Sequence, residues 1–229
     1  FAEQFPDPIF IQTENAGGKI AVARFPVCKS ITEVVEQLNI VLSGEMGEFK
    51  TLVLDSLKFT EALISQNVCG KLGISGLGDD ADYGNSESYS DAMGLWYKLL
   101  AKLDEVAESG MNVVLIGHRM QRNVKDSRVD EYETTTLDLG KWGKYDPASM
   151  FVYWSDCVFY LAHAVFTKSE KTGIDNKRTV AMGTGERIIY TEERPAYLAK
   201  NRFDMPAELP FNKGEGYKVI EQYLTVQKD

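Results

Sequence analysis

The chain has 229 residues, 44% hydrophobic and 26% charged, enough to bury the core of one α/β domain or of one domain with a small appendage. Its formal net charge of −9 argues against a uniformly basic nucleic-acid-binding surface and leaves room only for a local basic strip. No apolar run approaches the roughly 18 residues of a membrane span, Cys28, Cys69 and Cys157 lack metal-ligand or CxxC spacing, and two histidines are too few to build a zinc site unaided.

Ile9 to Gln12 is a short apolar run after "FPDP" and predicts a strand. Ser30 with Glu33 is a capping-box pattern, and Ile31, Val34, Val35, Leu38 and Leu42 follow at helical spacing. "TLVLD" from Thr51 to Asp55 lacks polar alternation, as expected of a parallel strand covered on both faces. A short helix through "KFTEALISQNV" leads to Gly70–Ser90, whose Gly, Asp and Ser content predicts a long loop. Helical spacing resumes from Asp91 to Ser109 through Leu95, Leu99, Leu103 and Val106, and Gly110 stops it. "NVVLIGH" is a third buried strand. Arg119 to Pro147 is a second long polar stretch, carrying Arg119, Arg122, Lys125, Arg128, Lys141, Trp142, Lys144 and Tyr145. Ala148 to Ser155 reads as a short helix and "CVFYLAHAVF" as a fourth strand. Lys168 to Arg178 reads as a hairpin turn, "RTVAMGTG", "ERIIYTEE" and "AYLAKNRF" as strands, and the tail from Gly216 as a helix.

Strands alternating with helices predict a mostly parallel sheet with helices on both faces. Ligands of such sheets bind at the carboxyl ends of the strands, which points to Glu14, Asp55, Ser56 and His118. Asp55 either caps a helix or holds a magnesium-bound water that Ser56 orients. Glu14 is either an exposed loop residue or the group that orients a water against a γ-phosphate. His118 either caps its strand or hydrogen-bonds a phosphate. The arginine run is either a solvated loop or, with Trp142 and Tyr145, a single-strand surface of cations beside stacking rings.

The order of "PIFIQTE", "TLVLDSL", "NVVLIGH", "WSDCVFYL" and "YLAKNRFDMPAELP" resembles the phage nucleotide-binding proteins with a RecA-like ATPase core, some of which act in single-strand annealing or recombination. The resemblance implies one α/β domain over residues 1–229: a RecA-like P-loop NTPase core, mostly parallel, flanked by helices, with a C-terminal antiparallel extension. It implies ATP and Mg2+ between subunits of a homo-oligomer, either ring or filament, in the cytoplasm of a bacterial host. Single-stranded DNA is the implied partner, with a recombination or single-strand-binding protein as a further one. On the matching positions, Glu14 is the catalytic glutamate, Asp55 the metal-side aspartate with Ser56 beside the nucleotide, and His118 the γ-phosphate sensor. Lys200 and Arg202 are cations offered to a neighbour's nucleotide. Arg119, Arg122, Lys125, Arg128, Lys141, Trp142 and Lys144 lie on the implied mobile DNA-contacting loop. Gly70–Ser90 matches another DNA loop by position but is acidic here, which argues against phosphate contact.

No GxxxxGK(S/T) occurs in the 229 residues. The resemblance expects that loop and the first core strand upstream of Phe1. The alternative is a non-hydrolysing RecA-like module that binds a replication or recombination partner. A dinucleotide dehydrogenase does not fit, because no GxGxxG follows a first strand.

Overall fold

The computed structural model describes residues 1–15, 21–45, 47–80, 86–125, 130–171 and 177–224, with backbone alone for 165–171 and 177–184. The chain divides into two compact units: residues 2–120 with 136–153, and Phe1 with 121–135 and 154–229.

The first unit is built on a parallel sheet in the order β2-β1-β3-β4, with β1 Pro8–Gln12, β2 Ala23–Arg24, β3 Thr51–Asp55 and β4 Asn112–Ile116. Ile9, Phe10, Ile11, Leu52, Val53 and Leu54 are all buried, which is why these strands read as continuous apolar runs. In register, Gln12 pairs with Asp55 and Asp55 with Ile116, so the three strands end level at one edge.

Three helices belong to this unit: α1 Ile31–Ser43, α2 Leu57–Leu72 and α3 Glu87–Glu108. The expected cap of α1 is present. Ser30 Oγ accepts the Glu33 N–H at 3.2 Å, while the Glu33 carboxylate takes the N–H of Lys29 rather than that of Ser30. A fourth helix, α4, spans Pro147–Trp154, and its Phe151 meets the buried Trp96 edge-on.

The expected loop over Gly70–Ser90 is shorter than predicted. α2 continues to Leu72 and α3 starts at Glu87. Ser86 is the N-cap of α3, its Oγ accepting the Tyr89 N–H at 3.3 Å. Asp80 accepts from Ser86 Oγ, Ser88 Oγ and Ser88 N, and the Ser88 and Ser86 hydroxyls hold its carboxyl well below the usual range.

The long polar stretch after His118 is also structured. β5 (Arg119–Val124) and β6 (Tyr132–Leu137) form a two-stranded sheet. On β5, Arg119, Gln121 and Asn123 are exposed, whereas Met120, Arg122 and Val124 are half-buried. That period of two was obscured because both of its faces carry arginine.

The second unit holds an antiparallel sheet, β7 Tyr160–Lys171, β8 Lys177–Tyr190 and β9 Glu208–Phe211, followed by α5 Gly216–Leu224. The two expected strands "RTVAMGTG" and "ERIIYTEE" are one strand, β8. The register shifts between His163 and Val165 of its partner, and Gly185 takes φ 78 within β8, a conformation open to glycine. "AYLAKNRF" is not a strand. It makes only isolated bridges, Thr135 and Arg194 with Tyr197 and Val158 with Lys200. Asn201 folds the chain into a turn instead, its Oδ1 accepting from Phe203 N and its Nδ2 donating to Met205 O, with Asp204 at φ 51. Among the described residues no helix is long and apolar enough to cross a membrane.

Candidate functional site

The level ends of β1, β3 and β4 place Thr13, Glu14, Ser56 and His118 at one edge of the parallel sheet. Ser56 is fully buried, and its peptide bond to Asp55 is cis. Its Oγ donates to Glu14 Oε1 at 2.7 Å. His118 Nδ1 lies 3.4 Å from the same Oγ, and its Nε2 is 3.8 Å from Glu14 Oε1. Ser56 has one hydroxyl proton and gives it to Glu14, so at Nδ1 the histidine is the donor. The Glu14 side chain is 17% exposed and that of His118 47%.

Asp55 ends β3 half-buried. Its carboxyl is pushed up, first by burial and then by Glu14, with His118 acting in the opposite sense. Two carboxyls, a hydroxyl and an imidazole are thus neighbours at the strand ends.

Thr13 was not singled out in the sequence. Its Oγ1 donates to Ser56 O and accepts from Ser56 N, both at 2.9 Å, and its own N–H donates to Asp55 O at 2.7 Å. Thr60 Oγ1 also donates to Ser56 O, at 2.8 Å. These hydroxyls fix the Asp55–Ser56 corner. The only signal in the sequence was a hydroxyl next to each strand-end carboxylate.

The cations expected to act in trans lie in the other unit. Lys200 Nζ donates to Ser155 O at 2.7 Å, and Arg202 pairs with Asp156 at 2.9 Å. Without a strand they share no strand face, but both reach the same turn. The Lys200 ammonium is held below its usual value by burial and then by Arg202.

The expected DNA-contacting residues are dispersed. Arg119 and Arg122 lie on opposite faces of β5, Lys125 is exposed beyond its end, and Arg128 lies outside the described residues. Lys141 pairs with Asp146 at 2.9 Å. Burial works to raise the Asp146 carboxyl, but the Ser149 N–H and Lys141 outweigh it and hold it low. Trp142 and Tyr145 close a turn through paired 2.9 Å backbone bonds, with Gly143 at φ 57. The Trp142 ring stacks on Tyr89 at 5.7 Å, and Lys144 sits over the Tyr145 ring.

A model of the AAA domain family matches residues 1–203. The chain belongs to the AAA domain family. No curated protein and no solved structure matches it significantly. Membership implies nucleotide binding and ATPase activity, with magnesium the usual metal. The matched residues of the AAA domain include the whole strand-end cluster as well as Lys200 and Arg202, and they stop short of β9 and α5. Within the AAA domain, Ser56, Glu14 and His118 are in contact at the strand ends, next to Asp55.

Proposed function

We propose that the chain is the ATP-hydrolysing core of a phage DNA recombination or single-strand annealing protein. In this reading a homo-oligomer binds nucleotide between its subunits and couples hydrolysis to single-stranded DNA. The observation that carries the reading is the Glu14–Ser56–Asp55–His118 cluster at the strand ends of an AAA domain. Water would attack the terminal phosphoryl group of bound ATP, and magnesium would supply charge compensation for its oxygens. Asp55 would hold magnesium through a bound water; burial and Glu14 raise its carboxyl, and a cation there would favour its charged form. Ser56 occupies Glu14 Oε1 and fixes the carboxylate, so Oε2 is the oxygen that orients the attacking water and takes its proton. His118 stands within reach of the same carboxylate, where loss of a phosphate alters its surroundings.

Arg202 is the better of the two cations for reaching a neighbour. Its pair with Asp156 is exposed on both sides, 54% and 62%, and such pairs are weak enough to exchange. For DNA, the support is the arginine-bearing hairpin β5–β6 and the Tyr89–Trp142 stack, onto which a base adds as a further layer.

Glu14→Gln tests the reading. The amide oxygen still accepts from Ser56, so the site keeps its shape, but it is a far poorer base. In a protein extended upstream to carry a phosphate loop, ATP binding is expected to persist while phosphate release falls by about 10²-fold or more. Hydrolysis at the parent rate removes Glu14 from its role. The engagement of Lys200 and Arg202 within their own unit favours a second reading, a non-hydrolysing module that binds a recombination or replication protein. Absence of hydrolysis in a parent protein extended upstream to carry a phosphate loop selects it.

A further inference from the structure

The first turn of α2 touches both the candidate site and the root of the β5–β6 hairpin. Ser56, its cap, holds Glu14. Lys58 Nζ donates to Asp138 Oδ1 at 3.0 Å and to Glu61 Oε2 at 3.2 Å. The other Glu61 oxygen accepts the Gly140 N–H at 2.6 Å, and Glu61 is only 8% exposed. Burial works against the Lys58 ammonium, but the bonds to Asp138 and Glu61 outweigh it. Asp138 in turn donates its N–H to the carbonyl of His118 at 2.8 Å. Phe59, from the same helical turn, meets the His118 ring edge-on with centroids 6.1 Å apart. A Cβ on Gly117 would run into Leu137, so the two legs of the hairpin root are in close contact just before His118. All these residues belong to one unit.

His118 is therefore held from two sides by one helical turn: its ring by Phe59, and its backbone by Asp138, which Lys58 anchors. We propose that Lys58, Glu61 and Asp138 are positioning residues, a latch that fixes the hairpin root to α2 and sets where His118 stands beside Glu14. Displacement of the hairpin root, Leu137 to Gly140, and displacement of His118 are then one motion. The latch stands on geometry, and its effect on turnover rests on the ATPase reading above.

The sequence contains two histidines, His118 and His163, so ring-labelled histidine in the intact protein yields two sets of NMR signals, assigned with His163→Gln. Lys58→Met and Asp138→Ala both release the latch. They are expected to move the His118 signals in the same direction and by similar amounts, leaving His163 unmoved. The double variant is expected to add nothing, and Lys58→Arg to restore the parent signals. Through-space loss of charge gives a different pattern, because removing a cation and removing an anion shift the ring oppositely and additively. That pattern, or unmoved His118 signals, overturns the latch. In the ATPase assay, Lys58→Met is expected to lower kcat roughly tenfold with KM for ATP within about twofold, and to melt within about 3 °C of the parent. Moved signals with unchanged kcat overturn the positioning role. A parent that hydrolyses no ATP counts against the ATPase reading alone, and the histidine signals still decide the latch.

Discussion

Asp55 is half-buried beside a second carboxylate, and both burial and Glu14 favour its neutral form. A carboxyl raised in the folded state stabilises the fold only at low pH. Stability falls as pH climbs from the unfolded value through the folded one, and the full loss is present at neutrality. Asp55→Asn is thus expected to raise the melting temperature of the nucleotide-free protein by about 2 °C at pH 7, a figure kept small because the group is partly exposed. Near pH 3 the gain vanishes, since the parent carboxyl is then protonated too. Magnesium is expected to raise the melting temperature of the parent and not that of Asp55→Asn. Thermal melts at both pH values check the sign; destabilisation at pH 7 would mean the carboxylate is structurally required. At this scale the strand-end carboxylates were legible, because an apolar run ending on Asp-Ser marks the edge of a sheet. Thr13 was not, since its pairing with Ser56 spans 43 positions and exists only once β1 and β3 are in register.

Helices and buried strands were legible because their apolar periodicity reports burial, and the Ser30 cap on α1 worked as its residues suggest. The elements missed were the polar ones. The first turn of α3, from Glu87, was read as loop because Ser86 and Ser88 look like loop residues until Asp80 is seen to gather them. The hairpin was read as loop because charge on both faces hides alternation. That alternation now yields a prediction. Arg119 and Arg122 point to opposite faces of β5, and a nucleic-acid strand laid along the hairpin meets one face. Of Arg119→Ala and Arg122→Ala, one alone is expected to reduce the salt dependence of single-strand binding, by roughly 0.7 in the slope of log K against log salt. Fluorescence titrations at several salt concentrations distinguish them. Equal losses in both variants mean that the strand wraps the hairpin edge rather than lying on a face.

At the scale of the molecule, the parallel sheet was legible from alternating strands and helices, while the division into two compact units was not, since no composition shift or linker announces it. Lys200 and Arg202 fall in the unit opposite to Glu14 and Asp55, and both hold the Ser155–Asp156 turn. Their purpose is either that turn or a neighbour's nucleotide, and one substitution separates the two. Asp156→Ala removes the Arg202–Asp156 ion pair and leaves the cation. If Arg202 merely ties the turn, Asp156→Ala and Arg202→Ala have the same effect on hydrolysis. If it acts across a subunit boundary, Arg202→Ala loses hydrolysis by about 10³-fold while nucleotide binding persists, and Asp156→Ala retains it. Complementation then tests the boundary itself. An Arg202→Ala subunit keeps its Glu14, and a Glu14→Gln subunit keeps its cations. In a freely exchanging equal mixture, about a quarter of the head-to-tail interfaces pair an intact glutamate with intact cations. Activity near that fraction of the parent's is expected from two nearly inactive proteins. Exchange is verified first by transfer of labelled subunits; once it is seen, a mixture that stays inactive places Arg202 outside the neighbour's site.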